Sequence, residues 1–97
     1  MKEITFFYME QCPYCRNAER AIDELTQENP AYAGVPIRRI DEENPPADFT
    51  GYAEGIYDYY YVPTMYVGAD KIYEARPGQD FDEIKEAVRT VFEKAAG

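Results

Sequence analysis

A change of hydrophobic period around two cysteines restricts the fold of this chain more than any other sequence feature. Residues 3–8 are β-branched and aromatic, which is typical of a short buried strand. Across residues 13–27 the apolar side chains recur at helical spacing, and Asn29-Pro30 ends that pattern. Residues 35–41 predict a second strand. This order predicts two parallel strands joined by a right-handed helical crossover.

The second half of the chain predicts a hairpin and a final helix. Residues 47–54 predict a short helix, and residues 64–67 and 71–75 predict two strands joined by a tight turn. An apolar stripe at helical spacing follows Asp80. Asp80 can cap this helix, and Glu83 completes a capping box with it.

The resulting order, β-α-β-α-β-β-α, predicts an α/β fold in which a four-stranded mixed sheet has helices on both faces. A length of 97 residues suits a single domain, residues 1–97. No apolar run approaches the roughly 20 residues that span a bilayer. The first residues pass directly into a strand pattern, without the features of a secretory signal. We therefore expect a cytoplasmic protein.

The charge and the missing histidines exclude several classes of function. Nineteen acidic residues against ten basic ones give a net charge of −9, which repels nucleic acid and anionic membrane surfaces. Without histidine, no Ser-His or Cys-His catalytic pair can form. Two cysteines alone cannot complete a four-ligand zinc site, so we expect no metal. The acidity itself is explained by solubility, or by attraction to a partner with a basic face.

The segment Cys12-Pro13-Tyr14-Cys15 has the spacing of a redox-active dithiol. Cys12 stands at the predicted helix start, where free N–H groups and the helix dipole favour an anion. Pro13 suits the first helical position, and Cys15 lies one turn further along. The positive charge of Arg16 is expected to lower the thiol pKa further. An alternative is an iron–sulfur cluster or metal carried between two subunits, with two thiolates from each.

These residues resemble the thioredoxin superfamily and, within it, the dithiol glutaredoxins. Cys12-Pro13-Tyr14-Cys15 is identical to the tetrapeptide typical of that group, and Val62-Pro63-Thr64 is similar to its cis-proline segment. The element order is that of the thioredoxin fold. The resemblance implies a thiol–disulfide oxidoreductase in which Cys12 attacks a disulfide and Cys15 resolves the mixed disulfide. We also expect a monomer with no bound cofactor.

The resemblance further implies a set of substrate-binding residues. Pro63 would be cis, and the backbone of Val62 would pair with the extended chain of the substrate. Tyr14 would flank the bound thiol compound. Asp80 would either hold the amino group of glutathione or serve only as the helix cap. The substrates would be disulfide-containing proteins or glutathione-mixed disulfides.

Some residues depart from the glutaredoxin pattern. Glutathione-binding members usually carry two glycines followed closely by an aspartate soon after the last strand. In the same region this chain has only Gly78 before Asp80. Thioredoxins place a buried aspartate six residues before the first cysteine, and Phe6 occupies that position. An alternative is therefore a thioredoxin-like electron donor that a flavin-dependent reductase recharges. Four tyrosines before Val62 either pack beneath the loop or form a docking rim for protein disulfides: Tyr57, Tyr59, Tyr60 and Tyr61.

Overall fold

A four-stranded mixed sheet forms the centre of the computed structural model, which describes all 97 residues. The strands are β1 (Ile4–Tyr8), β2 (Ile37–Asp41), β3 (Thr64–Val67) and β4 (Asp70–Glu74), in the spatial order β2-β1-β3-β4. β1 pairs in parallel with β2 and antiparallel with β3, and β3 pairs antiparallel with β4. The predicted parallel crossover and hairpin are therefore both confirmed.

Two long helices cover one face of this sheet. They are α1 (Pro13–Glu28) and α3 (Phe81–Ala96), and a four-residue helix, α2 (Pro30–Ala33), follows α1. α1 ends at Asn29 because Pro30 cannot continue the helical hydrogen bonding. α3 begins with the predicted capping box, in which the Asp80 carboxylate accepts from the Glu83 backbone N–H at 2.8 Å. No helix of the chain combines the length and the apolar character needed to cross a membrane.

The alternation of β1 divides the core between the two faces of the sheet. Ile4 and Phe6 point into the larger core, which α1 and α3 complete. Phe7 points to the opposite face and joins a smaller core with Ile40 and Tyr66. All five side chains are buried. The alternating direction of successive side chains along β1 follows from the two-residue period of a strand.

The prediction of a helix over residues 47–54 is wrong, because this segment forms turns. Gly51 is buried within it, and an added Cβ there would meet the rings of Tyr57 and Phe49. An isolated helix of this length is marginal, and Gly51 weakens it further. Aromatic packing on Phe7 therefore decides the conformation. The second face of the sheet is covered by this loop instead of by the predicted helix.

Phe7 is the centre of the aromatic cover. Its ring lies 4.9–6.0 Å, centroid to centroid, from five other aromatic rings. These distances lie within the range in which aromatic pairs contribute beyond simple burial. The five rings come from the loop and from β3: Phe49, Tyr52, Tyr57, Tyr59 and Tyr66.

Candidate redox site

Cys12 occupies the N-cap of α1, as the sequence predicts. Its backbone is extended, and its Sγ accepts a hydrogen bond from the backbone N–H of Cys15 at 3.2 Å. Pro13 follows at the first helical position, where its missing N–H leaves no bond unmade. The sulfur thus faces the positive end of the helix dipole and an amide donor, an arrangement that favours negative charge on it.

Cys15 lies deeper in the protein than Cys12. Its relative exposure is 3%, against 9% for Cys12, and both are free thiols. Burial raises the pKa of the Cys15 thiol, and its hydrogen bond with Cys12 raises it further, against an opposing backbone contact from Met9. The two sulfurs therefore differ: Cys12 Sγ is the less buried and accepts from a backbone amide, whereas Cys15 is the more deeply buried thiol.

Arg16 lines a cleft that Cys15 also lines. Its backbone N–H donates to the Cys12 carbonyl at 3.0 Å, and its side chain is exposed. The cleft has a volume of about 470 Å³ and is lined on one side by Cys15, Arg16 and Glu10. Charged side chains form much of the remaining lining, so the cleft beside Cys15 can hold water. The expected effect of Arg16 on the thiol pKa stays a prediction.

The segment before β3 meets Cys12 across 50 residues of sequence. The Val62–Pro63 peptide bond is cis, as the resemblance implies. The Cys12 thiol points at the Val62 carbonyl oxygen, at 3.7 Å, while the Val62 N–H has no acceptor within the chain. The buried Pro63 is held by its own carbonyl, which accepts from Ala75 N–H at 3.0 Å. The cis-proline segment therefore lies against the first cysteine.

The other two predicted binding residues, Tyr14 and Asp80, are engaged in contacts within the protein. The Tyr14 hydroxyl accepts from the Gly78 backbone N–H at 2.8 Å. Asp80 caps α3 through one carboxylate oxygen. Both side chains thus fix the turn between β4 and α3. Their predicted contacts with substrate stay predictions.

Tyr73 is a neighbour of the thiols that the sequence analysis missed. Its hydroxyl donates to the Gln79 side-chain oxygen at 3.0 Å, and its ring is buried. Burial raises the pKa of Tyr73, and negative charge on Cys15 and Cys12 raises it further. The phenol therefore shares the electrostatic environment of the two sulfurs. Phe6, at the position of the thioredoxin aspartate, is fully buried in the larger core.

The four tyrosines before Val62 divide into two pairs. Tyr57 and Tyr59 pack on Phe7, and the Tyr59 hydroxyl is hydrogen-bonded to that of Tyr52. Burial raises the pKa of Tyr59, and the bond to Tyr52 raises it further. Tyr60 and Tyr61 are instead exposed. The packing interpretation therefore holds for the first pair only.

Glu74 is the second residue that the sequence analysis missed. One of its carboxylate oxygens accepts from the backbone N–H groups of Tyr60, at 2.8 Å, and Tyr61, at 3.0 Å. Its other oxygen accepts from the Lys71 ammonium at 2.8 Å. Burial acts to raise the pKa of Glu74, but the bonds from Lys71 and the two amides outweigh it and lower the pKa. No group of three or more Cys, Asp or Glu residues is arranged to hold a metal ion.

Comparison with solved structures identifies the fold. Thioredoxin O1 from Arabidopsis thaliana is 20% identical over 100% of this chain and 79% of that chain, with a TM-score of 0.59. Thioredoxin O2 from the same plant is 22% identical over 95% of this chain and 76% of its own, with a TM-score of 0.55. A mutant thioredoxin from Halobacterium salinarum is 21% identical over 98% and 74%, with a TM-score of 0.51.

These similarities show that the chain has the thioredoxin fold, which confirms the predicted fold class. No protein-family model matches the sequence, and no curated protein matches it.

Proposed function

We propose that this protein is a thiol–disulfide oxidoreductase in which Cys12 attacks the substrate and Cys15 resolves the mixed disulfide. One observation carries the proposal. The Cys12 sulfur lies between the Cys15 N–H and the Val62 carbonyl, at the N-terminus of α1 and beside an unpaired backbone amide. This arrangement supplies both an anion-favouring environment for a nucleophile and a backbone edge for an extended substrate.

The reaction follows from the different positions of the two sulfurs. The Cys12 thiolate attacks one sulfur of the substrate disulfide, which forms a mixed disulfide and releases the other substrate sulfur as a thiolate. The Cys15 thiolate then attacks Cys12 Sγ. This second exchange forms the Cys12–Cys15 disulfide and releases the remaining substrate sulfur as a thiolate. The substrate gains two electrons and the protein dithiol loses them.

The buried thiol must lose its proton before the second exchange. Because burial raises the pKa of Cys15, this proton needs an acceptor near the sulfur. Phe6 cannot serve, since it replaces the carboxylate that the resemblance places there. Water in the cleft beside Cys15, with Glu10 at its wall, is the acceptor that we propose. The substrate thiolate released in the first exchange can take up a proton from the same water.

We propose that the substrates are protein disulfides or glutathione-mixed disulfides and that glutathione is the reductant. The support is that Cys12-Pro13-Tyr14-Cys15 is identical to the glutaredoxin tetrapeptide. Recharging by a flavin-dependent reductase is the second candidate. It is favoured by the similarity to thioredoxin structures and by the single glycine, Gly78, in the turn before α3. A dithiol that reduces its substrate also needs a reducing compartment, which supports the cytoplasm.

The test is a disulfide-reduction assay with each reductant in turn. Cys12→Ser should abolish the reduction of insulin and of glutathione-mixed disulfides. Cys15→Ser should accumulate the mixed disulfide on Cys12, which intact-protein mass spectrometry detects. Activity with glutathione alone supports the glutaredoxin type, and activity only with a flavin-dependent reductase supports the thioredoxin type. A Cys12→Ser protein that stays active would refute the proposed function.

A further inference from the structure

The backbone of the two exposed tyrosines is fixed by a carboxylate from the neighbouring strand. Glu74 is the last residue of β4 and pairs in register with Thr64, the first residue of β3. From there its Oε2 accepts from the N–H groups of both Tyr60 and Tyr61. Hydrogen bonds to an ionised acceptor are stronger than those between neutral groups. One side chain therefore holds two successive peptide units of the segment that leads to Pro63.

Lys71 extends this attachment by one more contact. Its ammonium donates to Glu74 Oε1 at 2.8 Å and to the Asp58 backbone carbonyl at 3.2 Å. The pair thus fixes residues 58–61 at both ends. The Glu74 side chain is only 19% exposed, so solvent screens these bonds less than those of a free surface pair.

The segment that Glu74 holds presents two exposed side chains and one backbone N–H group without an acceptor in the chain. Tyr60 is 91% exposed and Tyr61 is 51% exposed. Neither ring packs against another aromatic ring of the protein, unlike the rings of Tyr57 and Tyr59. The next residue, Val62, has a free N–H and a carbonyl that faces Cys12. Exposed tyrosines beside an unpaired backbone edge are typical of the contact anchors of protein interfaces.

We propose that Glu74 is a positioning residue that holds Tyr60, Tyr61 and Val62 as a preformed docking edge for an extended, basic polypeptide that carries the disulfide. This inference rests on the proposed function and specifies its substrate class. A backbone that is already ordered costs less conformational entropy when a partner binds. The gain is largest for a partner long enough to contact the tyrosines.

The size of the occupant follows from the distance along the docking edge. An extended chain advances about 3.3 Å per residue, so a polypeptide with its disulfide at Cys12 reaches Tyr60 only with residues beyond its cysteine. A small disulfide has no such residues. The basic character follows from charge, since this protein carries a net charge of −9 and attracts cationic partners.

The experiment measures single turnovers of the reduced protein with two disulfides. One is the disulfide-linked dimer of a basic ten-residue peptide, and the other is 2-hydroxyethyl disulfide. Acid quenching and alkylation give the half-saturating concentration and the maximal rate for each. Glu74→Ala should raise the half-saturating concentration of the peptide by about fivefold, because the docking edge must then be ordered when the peptide binds. The maximal rate with the peptide should change less than about twofold in this variant. The same limit applies to the maximal rate and the half-saturating concentration with 2-hydroxyethyl disulfide.

Glu86→Ala is the matched control. Glu86 also forms an ion pair three residues along the chain, with Arg89, but its carboxylate lies on α3 and accepts from no backbone amide. It should leave both substrates unchanged. Glu74→Gln keeps an oxygen that can accept from the two amides, so it should restore most of the peptide binding. The inference would be overturned if Glu74→Ala slowed the reaction with both substrates equally. It would also be overturned if Glu74→Ala and Glu86→Ala had the same effect on the peptide.

Tyr60→Ala keeps the inference testable if Glu74→Ala fails to fold. The exposed Tyr60 ring supports no core, so the thermal midpoint should stay constant while peptide binding weakens by about threefold or more. An unchanged half-saturating concentration in this variant overturns the docking edge. The same holds if an acidic peptide dimer binds as well as the basic one. Failure of the unmodified protein to react with either disulfide would refute the proposed function instead.

Discussion

The hydroxyl of Tyr14 accepts a hydrogen bond from the backbone N–H of Gly78 at 2.8 Å, across 64 residues of sequence. This bond joins the first turn of α1 to the turn between β4 and α3. Gly78 has a φ of 87°, a conformation that glycine adopts without strain. Tyr14, one of the two residues between the cysteines, therefore contributes to the arrangement of the turn that leads to Asp80.

Removal of the Tyr14 hydroxyl should loosen this turn. Tyr14→Phe keeps the ring and leaves the Gly78 N–H without its acceptor, which should cost about 0.5–1.5 kcal/mol of unfolding free energy. Urea titration followed by circular dichroism gives the value. Tyr32→Phe is the control, because the Tyr32 ring stacks on Phe92 and its hydroxyl has no partner in the chain. Equal losses in both variants would contradict the assigned role of the bond.

Gly51 should tolerate no larger side chain. An added Cβ would lie 2.6 Å from Tyr57 Cε2 and 2.9 Å from Phe49 Cζ, and both rings are packed in the aromatic cover on Phe7. Gly51→Ala should therefore destabilise the protein by about 1–3 kcal/mol.

Gly34→Ala provides the comparison for Gly51→Ala. Gly34 has a right-handed helical conformation, and an added Cβ there meets only the flexible end of Met1, at 3.3 Å. Replacement of glycine at such a position removes conformational freedom from the unfolded chain, so this variant should be neutral or more stable. Thermal unfolding of both proteins decides the matter. A Gly51→Ala protein as stable as Gly34→Ala would show that the aromatic cover is loose.

The features that the sequence predicted correctly depend on neighbouring residues. The start of α1 follows from Cys12-Pro13, and the start of α3 follows from the box formed by Asp80 and Glu83. Both are capping signals that act within one helical turn. The hairpin was predicted to within one residue for the same reason, since its turn lies between two strand patterns.

The features that the sequence did not predict depend on contacts between distant residues. The loop over residues 47–54 follows the packing of its rings on Phe7, which stands about 40 residues earlier. The roles of Tyr73 and Glu74 depend on β4 lying beside β3, and neither residue belongs to a motif. The dithiol itself was recognisable because its chemistry is contained in four consecutive residues.

The ion pairs between α1 and α3 should make stability depend on acid pH. The hydrogen bond from Lys85 is the largest influence on Glu24 and lowers the pKa of this carboxyl below its ordinary value of 4.5. A carboxyl whose pKa is lowered by folding stabilises the native state above its unfolded pKa. This contribution is lost as the pH falls through the folded value. The protein should therefore lose stability between about pH 5 and pH 3.

Lys85→Met tests this contribution directly. Without the ammonium, Glu24 should titrate closer to its ordinary pKa, and the drop in the urea midpoint from pH 7 to pH 3 should be smaller. Glu74, whose pKa is also lowered, is unchanged in this variant and contributes equally to both proteins. Lys94→Met is the control, since the exposed Lys94 forms no ion pair. An unchanged acid dependence in Lys85→Met would contradict the assignment to this pair.

The two thiols of the reduced protein should differ strongly in their reaction with iodoacetamide. Cys12 lies at the helix start with more of its surface accessible, whereas Cys15 is 3% exposed and burial raises its pKa. Since only the thiolate reacts, Cys12 should be alkylated at least about tenfold faster at pH 7, as peptide mapping by mass spectrometry would show. A rise to pH 9 should leave Cys15 slow. In Cys12→Ser, Cys15 should stay slow, because burial is the main cause of its raised pKa and does not depend on the partner sulfur. Rapid alkylation of Cys15 in either protein would mean that the inner thiol is open to solvent, and the order of the two exchange steps would then have no structural basis.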